Sequence, residues 1–290
     1  MFKGSFTALI TPFKNGGIDE KSLRGLIEFQ IEGGTAGLVP CGTTGESATL
    51  THEEHKKVME IVVDAAKKRV PVIAGTGSNS TAEAIALTKS AKEMGADAAL
   101  LISPYYNKPT QEGLYRHYKA VAEAVDIPMI LYNVPGRTQV NILPETVARL
   151  SRIKNIVALK DATGSLQQAS DTISRCGGDF NLLSGDDANT LPILSVGGTG
   201  VISVTANIAP REVAGLCGAF FRGDLSEARK IHYRLLSLHN AMFIETNPIP
   251  VKTALALMGK CEESFRLPLC GISERNRESL KSTLKDFGLI

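Results

Sequence analysis

The sequence contains no apolar stretch that approaches the ~18 residues needed to cross a membrane. Its opening residues, MFKGSF, lack the apolar core of a secretory signal. Its 32 basic and 30 acidic residues are spread along the chain, without the long basic run typical of nucleic-acid or anionic-membrane binding. The sequence therefore predicts neither a membrane nor a nucleic acid as a partner.

Cysteine is scarce and shows no pairing pattern. The five cysteines are odd in number and include no C-x-x-C pair, which argues against a disulfide framework and against a zinc knuckle. We expect them to be small buried side chains in a protein of the reducing cytoplasm. They are Cys41, Cys176, Cys217, Cys261 and Cys270.

Motifs for nucleotides and metals are missing as well. The glycine-rich residues 42–45 (GTTG) lack the lysine of a phosphate-binding loop, and no G-x-G-x-x-G lies nearby. His52 and His55 are three residues apart, not the four of H-E-x-x-H, so a solvated helix start is the simpler interpretation. Asp186 and Asp187 have no companion ligands in sequence and are interpreted as loop aspartates. No metal is predicted.

What the chain does have is a regular alternation of short apolar runs and amphipathic segments. Eight such runs start about 20 to 33 residues apart, which is the spacing of repeated strand–helix units. This pattern predicts a (β/α)8 TIM barrel, because an open doubly wound sheet of this length would more often divide into two domains. The predicted strands are residues 6–11, 37–41, 70–75, 98–103, 128–133, 156–160, 180–185 and 200–204.

The strand signals stop after about Phe221. Residues 225–244, 250–258 and 273–287 then read as three helices, separated by turns that contain proline and glycine. We therefore predict a catalytic barrel over residues 1–224 and a helical extension over residues 225–290.

Lys160 stands at the end of a strand that should be buried. It follows the apolar residues 156–159 (IVAL), and desolvation there would lower the pKa of the amine. A neutral amine can attack a carbonyl carbon and form an imine. Taken alone, the segment fits an ion-paired or snorkelling lysine better, so the interpretation depends on its neighbours.

Those neighbours are the other strand ends, which meet at one face of a TIM barrel. They provide hydroxyl groups, one arginine and glycine-rich backbone, a set that suits imine chemistry on a keto acid. By themselves, residues 42–45 are equally well a tight turn, and the tyrosines are equally well packing aromatics. The strand-end residues include Thr43, Thr44, Tyr105, Tyr106, Tyr132, Arg137, Gly185 and Ile202.

Several motifs together resemble a known family. Residues 42–47 (GTTGES), 132–138 (YNVPGRT) and 159–161 (LKD) are similar to those of the 4-hydroxy-tetrahydrodipicolinate synthases, also called dihydrodipicolinate synthases. These are class I aldolases of the N-acetylneuraminate lyase superfamily. Residues 9–13 (LITPF) and 247–252 (NPIPVK) extend the resemblance over essentially the whole chain.

The resemblance implies condensation of pyruvate with L-aspartate-4-semialdehyde, on the route to diaminopimelate and lysine. Lys160 would form the pyruvyl imine and Tyr132 would be the general acid/base. Thr44 would relay protons between Tyr132 and Tyr106. In the family, Tyr106 reaches in from the neighbouring subunit of a tight dimer, and two dimers usually form a tetramer.

The resemblance also implies how the substrates are held. Thr43, Gly185 and Ile202 would line the keto-acid pocket, and Arg137 would hold a carboxylate because its planar guanidinium suits bidentate recognition. No cofactor is implied, since the imine itself is the electron sink.

Family members that are inhibited by lysine bind it in a pocket at the dimer interface. The resemblance therefore implies feedback inhibition by L-lysine, with Glu83 as a carboxylate suited to an ammonium. The matching positions are Ser47, Ala48, His52, His55, Asn79, Glu83 and Tyr105.

Two other functions remain open at this stage. Another pyruvate-dependent aldolase, such as N-acetylneuraminate lyase or a 2-keto-3-deoxy sugar acid aldolase, would share the lysine and the tyrosine. Arg137 favours the synthase, because a sugar substrate needs no second carboxylate contact there. A non-catalytic keto-acid sensor is the other alternative, but it would be expected to lose part of the catalytic set.

Overall fold

The computed structural model describes residues 2–290 and contains a barrel of eight parallel strands. Each of the eight predicted strands is present, although most are shorter than predicted. The barrel strands are β1 Gly4–Ala8, β2 Gly37–Val39, β3 Ile73–Gly75, β4 Ala98–Ile102, β5 Met129–Asn133, β6 Ile156–Asp161, β7 Asn181–Ser184 and β8 Gly200–Ser203.

Strand pairing closes the sheet on itself. The hydrogen-bonded order is β2-β1-β8-β7-β6-β5-β4-β3, and a parallel bridge between Leu38 and Val72 joins the two ends. The interior is filled by side chains that include Phe6, Ile73 and Leu183, so it is a packed core and not a channel. The predicted TIM barrel is confirmed.

Helices follow the strands around the outside of the barrel. They are α1 Glu20–Glu32, α2 His52–Ala66, α3 Thr81–Glu93, α4 Gln111–Ala124, α5 Pro135–Thr138, α6 Pro144–Leu150, α7 Leu166–Cys176, α8 Thr190–Ser195, α9 Pro210–Phe221, α10 Leu225–Ala241, α11 Ile249–Leu257 and α12 Glu274–Phe287. Within residues 2–290 no helix combines the length and the apolar character needed to span a membrane.

A short hairpin near the N-terminus was not predicted. Phe13–Lys14 pairs antiparallel with Gly17–Ile18, and Asn15 and Gly16 between them both have positive φ. Asn-Gly is the sequence preferred in such a two-residue turn, but strands of two residues give no apolar alternation that would reveal them.

The three C-terminal helices, α10 to α12, lie close to their predicted bounds, with α10 ending at Ala241. Their apolar residues, such as Leu238 and Leu280, belong to the same buried cluster as Leu26 and Val201 of the barrel. The extension therefore shares its core with the barrel, and the boundary at residue 224 stays a prediction.

Candidate active site

Lys160 and Tyr132 lie side by side at the carboxyl ends of adjacent strands. The parallel register pairs Tyr132 of β5 with Lys160 of β6, and the Lys160 Nζ lies 4.1 Å from the centre of the tyrosine ring. Their exposed fractions are only 6% and 7%. Two neighbours in a parallel sheet that point to the same side necessarily approach each other, so the strand register places the amine beside the phenol.

The surroundings of Lys160 favour its neutral form. Burial lowers the pKa of Lys160 to about 7; the carboxylate of Asp187 opposes this shift, and the charge of Arg137 adds to it. Desolvation is the largest of the three effects. A substantial fraction of the amine is therefore neutral and nucleophilic near neutral pH.

The Tyr132 hydroxyl is held in its protonated form. Burial raises the pKa of Tyr132, while the nearby Arg137 charge and a hydrogen bond with the Thr43 side chain act in the opposite direction. A buried phenol needs a neighbouring group that can accept and return its proton. The structure provides Thr43 for this purpose.

The family resemblance implies Thr44 as the partner of Tyr132, whereas in the structure Thr43 contacts the phenol. The Thr44 hydroxyl accepts a hydrogen bond of 3.0 Å from Asn247 Nδ2, whereas Thr43 contacts Tyr132. Successive residues in the tight turn after β2 point in different directions, and periodicity cannot say which hydroxyl meets the tyrosine. The structure thus favours Thr43 over Thr44 as the hydroxyl beside Tyr132, and the identity of the relay residue stays a prediction.

Arg137 is fixed at the mouth of the site by a short helix and by a carbonyl group. It lies in α5, and its Nη2 donates to the Asn247 carbonyl oxygen at 3.1 Å. Asn247 itself is buried, and its Oδ1 has no hydrogen-bond partner among residues 2–290. Asn247 thus positions both Arg137 and Thr44, a role that its sequence motif did not indicate.

Most of the predicted catalytic and substrate-binding residues line one cavity of about 580 Å³. Ile202 does not: it lies below this cavity in the packed barrel interior, in the same cluster as Tyr132. The lining residues from the predicted set are Thr43, Thr44, Tyr132, Arg137, Lys160 and Gly185.

Gly185 allows the chain to pass close to Lys160. A Cβ atom at this position would lie 3.1 Å from the Lys160 Cε and 2.9 Å from the Ala162 Cβ. Any side chain here would therefore press directly on Lys160.

Tyr106 stands apart from the other predicted catalytic residues. Its side chain is 91% exposed and does not line the cavity formed by its own chain. A single chain therefore does not bring Tyr106 to Tyr132, and a contribution from a neighbouring subunit stays a prediction.

Asp187 is not the ordinary loop aspartate that the sequence suggested. It is buried and accepts hydrogen bonds from the Ser203 hydroxyl and from the backbone amides of Val204 (2.9 Å) and Thr205 (3.3 Å). It thereby ties the turn after β7 to the end of β8, and its charge acts on Lys160. The D-D pair in the sequence gave no sign of this burial.

A second cavity of about 530 Å³ shares Thr43, Tyr132 and Arg137 as walls with the first. Asn79 is the one member of the predicted lysine-binding set that is not part of its lining; its Nδ2 donates to the Tyr105 carbonyl at 3.2 Å. The lining members of the set are Ser47, Ala48, His52, His55, Glu83 and Tyr105.

Polar groups in the second cavity are held by helix α2 and the start of α3. Helix α2 begins with a capping box: the Thr51 hydroxyl accepts from the Glu54 amide, and the Glu54 carboxylate accepts from the Thr51 amide. At the start of α3 the Ser80 hydroxyl accepts from the Glu83 amide, but the Glu83 carboxylate accepts from the Ser78 hydroxyl and lies 3.1 Å from His52 Nε2. This leaves a carboxylate facing the cavity.

His55 is the buried histidine of this cavity. Its Nε2 lies 2.7 Å from the Gly75 carbonyl oxygen, and burial lowers its pKa. The ring is therefore neutral near pH 7, and its Nε2 donates to the carbonyl.

A buried lysine of lowered pKa beside a tyrosine, at the carboxyl ends of the strands of a TIM barrel, defines an imine-forming class I aldolase. The sequence profile of the dihydrodipicolinate synthetase family matches residues 1–287. The chain belongs to this family.

Individual relatives agree with this assignment. The chain is 65% identical to a 4-hydroxy-tetrahydrodipicolinate synthase of Geotalea uraniireducens over 100% of both chains. It matches a pyruvate complex of the chloride-inhibited enzyme of Acinetobacter baumannii with 51% identity, a TM-score of 0.98 and 100% coverage of both chains. It also matches the lysine-bound enzyme of Cyanidioschyzon merolae with 42% identity, a TM-score of 0.97, and coverage of 100% of this chain and 99% of that one. The predicted family, and the prediction of an enzyme of this kind, are confirmed.

Proposed function

We propose that the Lys160 amine is the nucleophile with which this chain condenses pyruvate and L-aspartate-4-semialdehyde to 4-hydroxy-tetrahydrodipicolinate, in the biosynthesis of diaminopimelate and lysine. The observation that carries this proposal is the position of Lys160, buried beside Tyr132 with its pKa lowered to about 7. The match to a pyruvate-bound relative supports pyruvate as the first substrate.

The reaction begins at the neutral amine. Lys160 Nζ attacks C2 of pyruvate, and the carbonyl oxygen leaves as water to give an imine. Loss of a proton from C3 gives the enamine, whose C3 forms the new bond to the aldehyde carbon of the semialdehyde. The amino group of the second substrate then attacks C2 and displaces Lys160, which closes the ring.

Tyr132 moves the protons in these steps. The Lys160 Nζ lies over its ring and its hydroxyl contacts Thr43, so it can deliver a proton to the departing water and to the new alkoxide. Thr43 passes that proton on toward the mouth of the site. We place Tyr106 of a neighbouring subunit at the far end of this relay, in a tight dimer that pairs into a tetramer.

Arg137 binds the carboxylate of the semialdehyde. Its guanidinium lies at the boundary of both cavities and is oriented by the Asn247 carbonyl. A planar guanidinium binds a carboxylate through two parallel hydrogen bonds, which fixes the direction from which the aldehyde approaches the enamine.

The second cavity is proposed to bind L-lysine as a feedback inhibitor. Glu83 supplies a carboxylate for an ammonium group, and His52 lies beside it. The lysine-bound relative supports this assignment. Because the two cavities share Thr43, Tyr132 and Arg137, an occupant of the second would act on the walls of the first.

The C-terminal helical extension contributes to the catalytic cavity. Residues of α10 and of the segment after it, His239, Asn240 and Phe243, line the catalytic cavity together with Lys160. We therefore propose that residues 225–290 form an extension that completes the site which residues 1–224 begin.

The proposal is tested by turnover of pyruvate and L-aspartate-4-semialdehyde, coupled to the downstream reductase and followed as loss of NADPH. We expect turnover in the native protein and none above background in Lys160→Ala. Lys154→Ala changes a lysine outside both cavity linings and is expected to retain full activity.

The matching covalent test is reduction of the pyruvate adduct with cyanoborohydride, which should label native protein and Lys154→Ala but not Lys160→Ala. A labelled native protein without synthase turnover, but with cleavage of a keto-deoxy sugar acid or of N-acetylneuraminate, would contradict the proposed second substrate. Absence of labelling in well-folded native protein would indicate a sensor instead.

A further inference from the structure

One buried ion pair lies outside the proposed catalytic set. Lys252 of α11 and Glu46, in the turn after β2, are separated by 2.5 Å between Nζ and Oε1, and their side chains are 0% and 1% exposed. The Lys252 Nζ also lies 4.1 Å from the centre of the Phe13 ring. Both charges have been removed from water completely, and such a pair need not add stability compared with apolar residues of the same volume.

Glu46 occupies the centre of the turn that forms walls of both cavities. Its amide donates to the Thr43 carbonyl at 3.1 Å, and its own carbonyl accepts from the Thr49 amide at 3.0 Å. On one side of Glu46, Thr43 lines both cavities, while on the other side Ser47 lines the second cavity. The position of Glu46 therefore sets the position of Thr43.

The backbone of Glu46 is unusual for its residue type. Its φ of 54° lies in the left-handed region, which is unfavourable for a side chain with a Cβ and is adopted mainly by glycine and asparagine. An additional contact must hold it there. Its Oε1 is bound by Lys252, and its Oε2 accepts from the Arg266 amide at 3.4 Å.

Lys252 belongs to the segment that also positions the other catalytic groups. Five residues earlier, Asn247 holds Arg137 through its carbonyl and Thr44 through its side chain. The ion pair thus adds a third connection, from residues 247–252 to the turn that carries Thr43 and Thr44.

We infer that Lys252 and Glu46 form a positioning pair: it holds the turn after β2 in its left-handed conformation and so keeps the Thr43 hydroxyl against Tyr132. The inference rests on the proposed role of Tyr132 as the general acid/base. Neither Lys252 nor Glu46 lines the catalytic cavity, so their effect is exerted through Thr43.

The test is the paired substitution Glu46→Gln with Lys252→Met, which removes both charges and approximately retains both shapes. Because no unpaired charge remains, the variant is expected to fold and to form the pyruvate imine with Lys160. We expect kcat to fall about 10- to 100-fold, with an altered pH profile of kcat, because the proton relay is misplaced. Wild-type kcat and an unchanged pH profile in the folded variant would overturn the inference.

A double-mutant cycle separates positioning from a general loss of structure. In a Thr43→Val background the paired substitution should have little further effect on kcat, since the hydroxyl on which it acts is already gone. If the paired substitution lowered kcat by the same factor in the Thr43→Val background as in the native protein, the inference would be overturned. As a matched control, Glu263→Gln with Arg277→Met removes another ion pair of 2.5 Å, outside both cavity linings, and should leave kcat unchanged.

Glu46→Asp keeps the inference testable if the paired variant does not fold. It retains both charges but shortens the contact by one methylene, so kcat should fall several-fold while imine formation persists. Native kcat in Glu46→Asp would count against the pair. Failure of the unmodified protein to turn over the two substrates would instead contradict the proposed function, which the imine measurement addresses independently.

Discussion

At Lys160 three electrostatic effects compete, and desolvation decides the outcome. Asp187 stabilises the protonated amine, but it accepts three hydrogen bonds from Ser203, Val204 and Thr205 and spreads its charge over them. Burial and the charge of Arg137 both act in the opposite direction. Desolvation of the amine therefore makes it nucleophilic near neutral pH.

This balance predicts the pH dependence of imine formation. Because the neutral amine is the reactive form, the rate of the pyruvate reaction should rise with pH through about 7 and level off above it. Trapping with cyanoborohydride over a range of pH measures this directly. Asp187→Asn should move the midpoint to lower pH, because it removes the charge that favours the ammonium; a midpoint near the ordinary value of 10.5 in the native protein would contradict the low pKa.

The two neighbouring threonines give a second prediction at the residue scale. Thr43→Val removes the hydroxyl that contacts Tyr132 and should lower kcat by about 10- to 100-fold, less than the roughly 10²- to 10⁴-fold of a complete loss of acid–base catalysis, because Tyr132 itself remains. Thr44→Val loses only the hydrogen bond to Asn247, so it should cost about 1 kcal/mol of stability and little activity. Steady-state kinetics and thermal unfolding of both variants test this prediction. A large loss of kcat in Thr44→Val, with little loss in Thr43→Val, would identify Thr44 as the relay residue.

At the scale of elements, the turns after the strands decide which side chains reach the site. The turn after β2 carries Thr43, the one after β5 becomes the short helix α5 with Arg137, and the one after β7 begins with Gly185. Since the strands fix where each turn starts, the catalytic groups converge although they are far apart in sequence.

The turn after β7 gives a prediction about the room available to the Lys160 side chain. Gly185→Ala would place a methyl group 3.1 Å from Lys160 Cε and should reduce the rate of imine formation, at a stability cost of about 1–3 kcal/mol for overpacking. Gly136→Ala, whose Cβ would have no atom within 4 Å, is the matched control and should behave as the native protein. Equal activity of the two variants would show that Gly185 does not restrict the lysine.

The second cavity belongs to the elements that follow β2 and β3. If it binds L-lysine, Glu83→Gln should raise the lysine concentration needed for half-inhibition by about tenfold or more, because a charge-assisted hydrogen bond is lost. Inhibition curves at fixed pyruvate measure this, with uninhibited turnover as the internal control. An unchanged curve would place the inhibitor elsewhere.

At the scale of the whole molecule, the exposed Tyr106 is the feature that one chain leaves unexplained. If it completes the site of a neighbouring subunit, mixed dimers of Lys160→Ala and Tyr106→Phe contain one intact site each. Random mixing should then restore about a quarter of native activity, since half of the dimers are mixed. No recovery beyond the sum of the two parent variants would mean that Tyr106 does not act across an interface.

The repeated structure of the chain could be predicted from the sequence. Eight apolar runs at near-regular spacing suffice for a barrel, because parallel strands buried on both faces must be apolar throughout and their crossover helices must be amphipathic. The same logic identified Lys160, since a lysine at the end of such a strand stands out. The N-terminal hairpin was missed because two-residue strands leave no period to read.

By itself, then, the sequence indicated the barrel and the strand-end position of Lys160, because these depend on the order and spacing of residues along the chain, and its motifs indicated the family through their resemblance to known members. Only the tertiary structure decided that Thr43 meets Tyr132, that Asp187 is buried, and that Lys252 reaches Glu46 across more than 200 residues. The direction of a side chain in a turn, and the pairing of distant charges, follow from how strands and helices pack against one another. Those contacts cannot be predicted from the residues next to each position in the sequence.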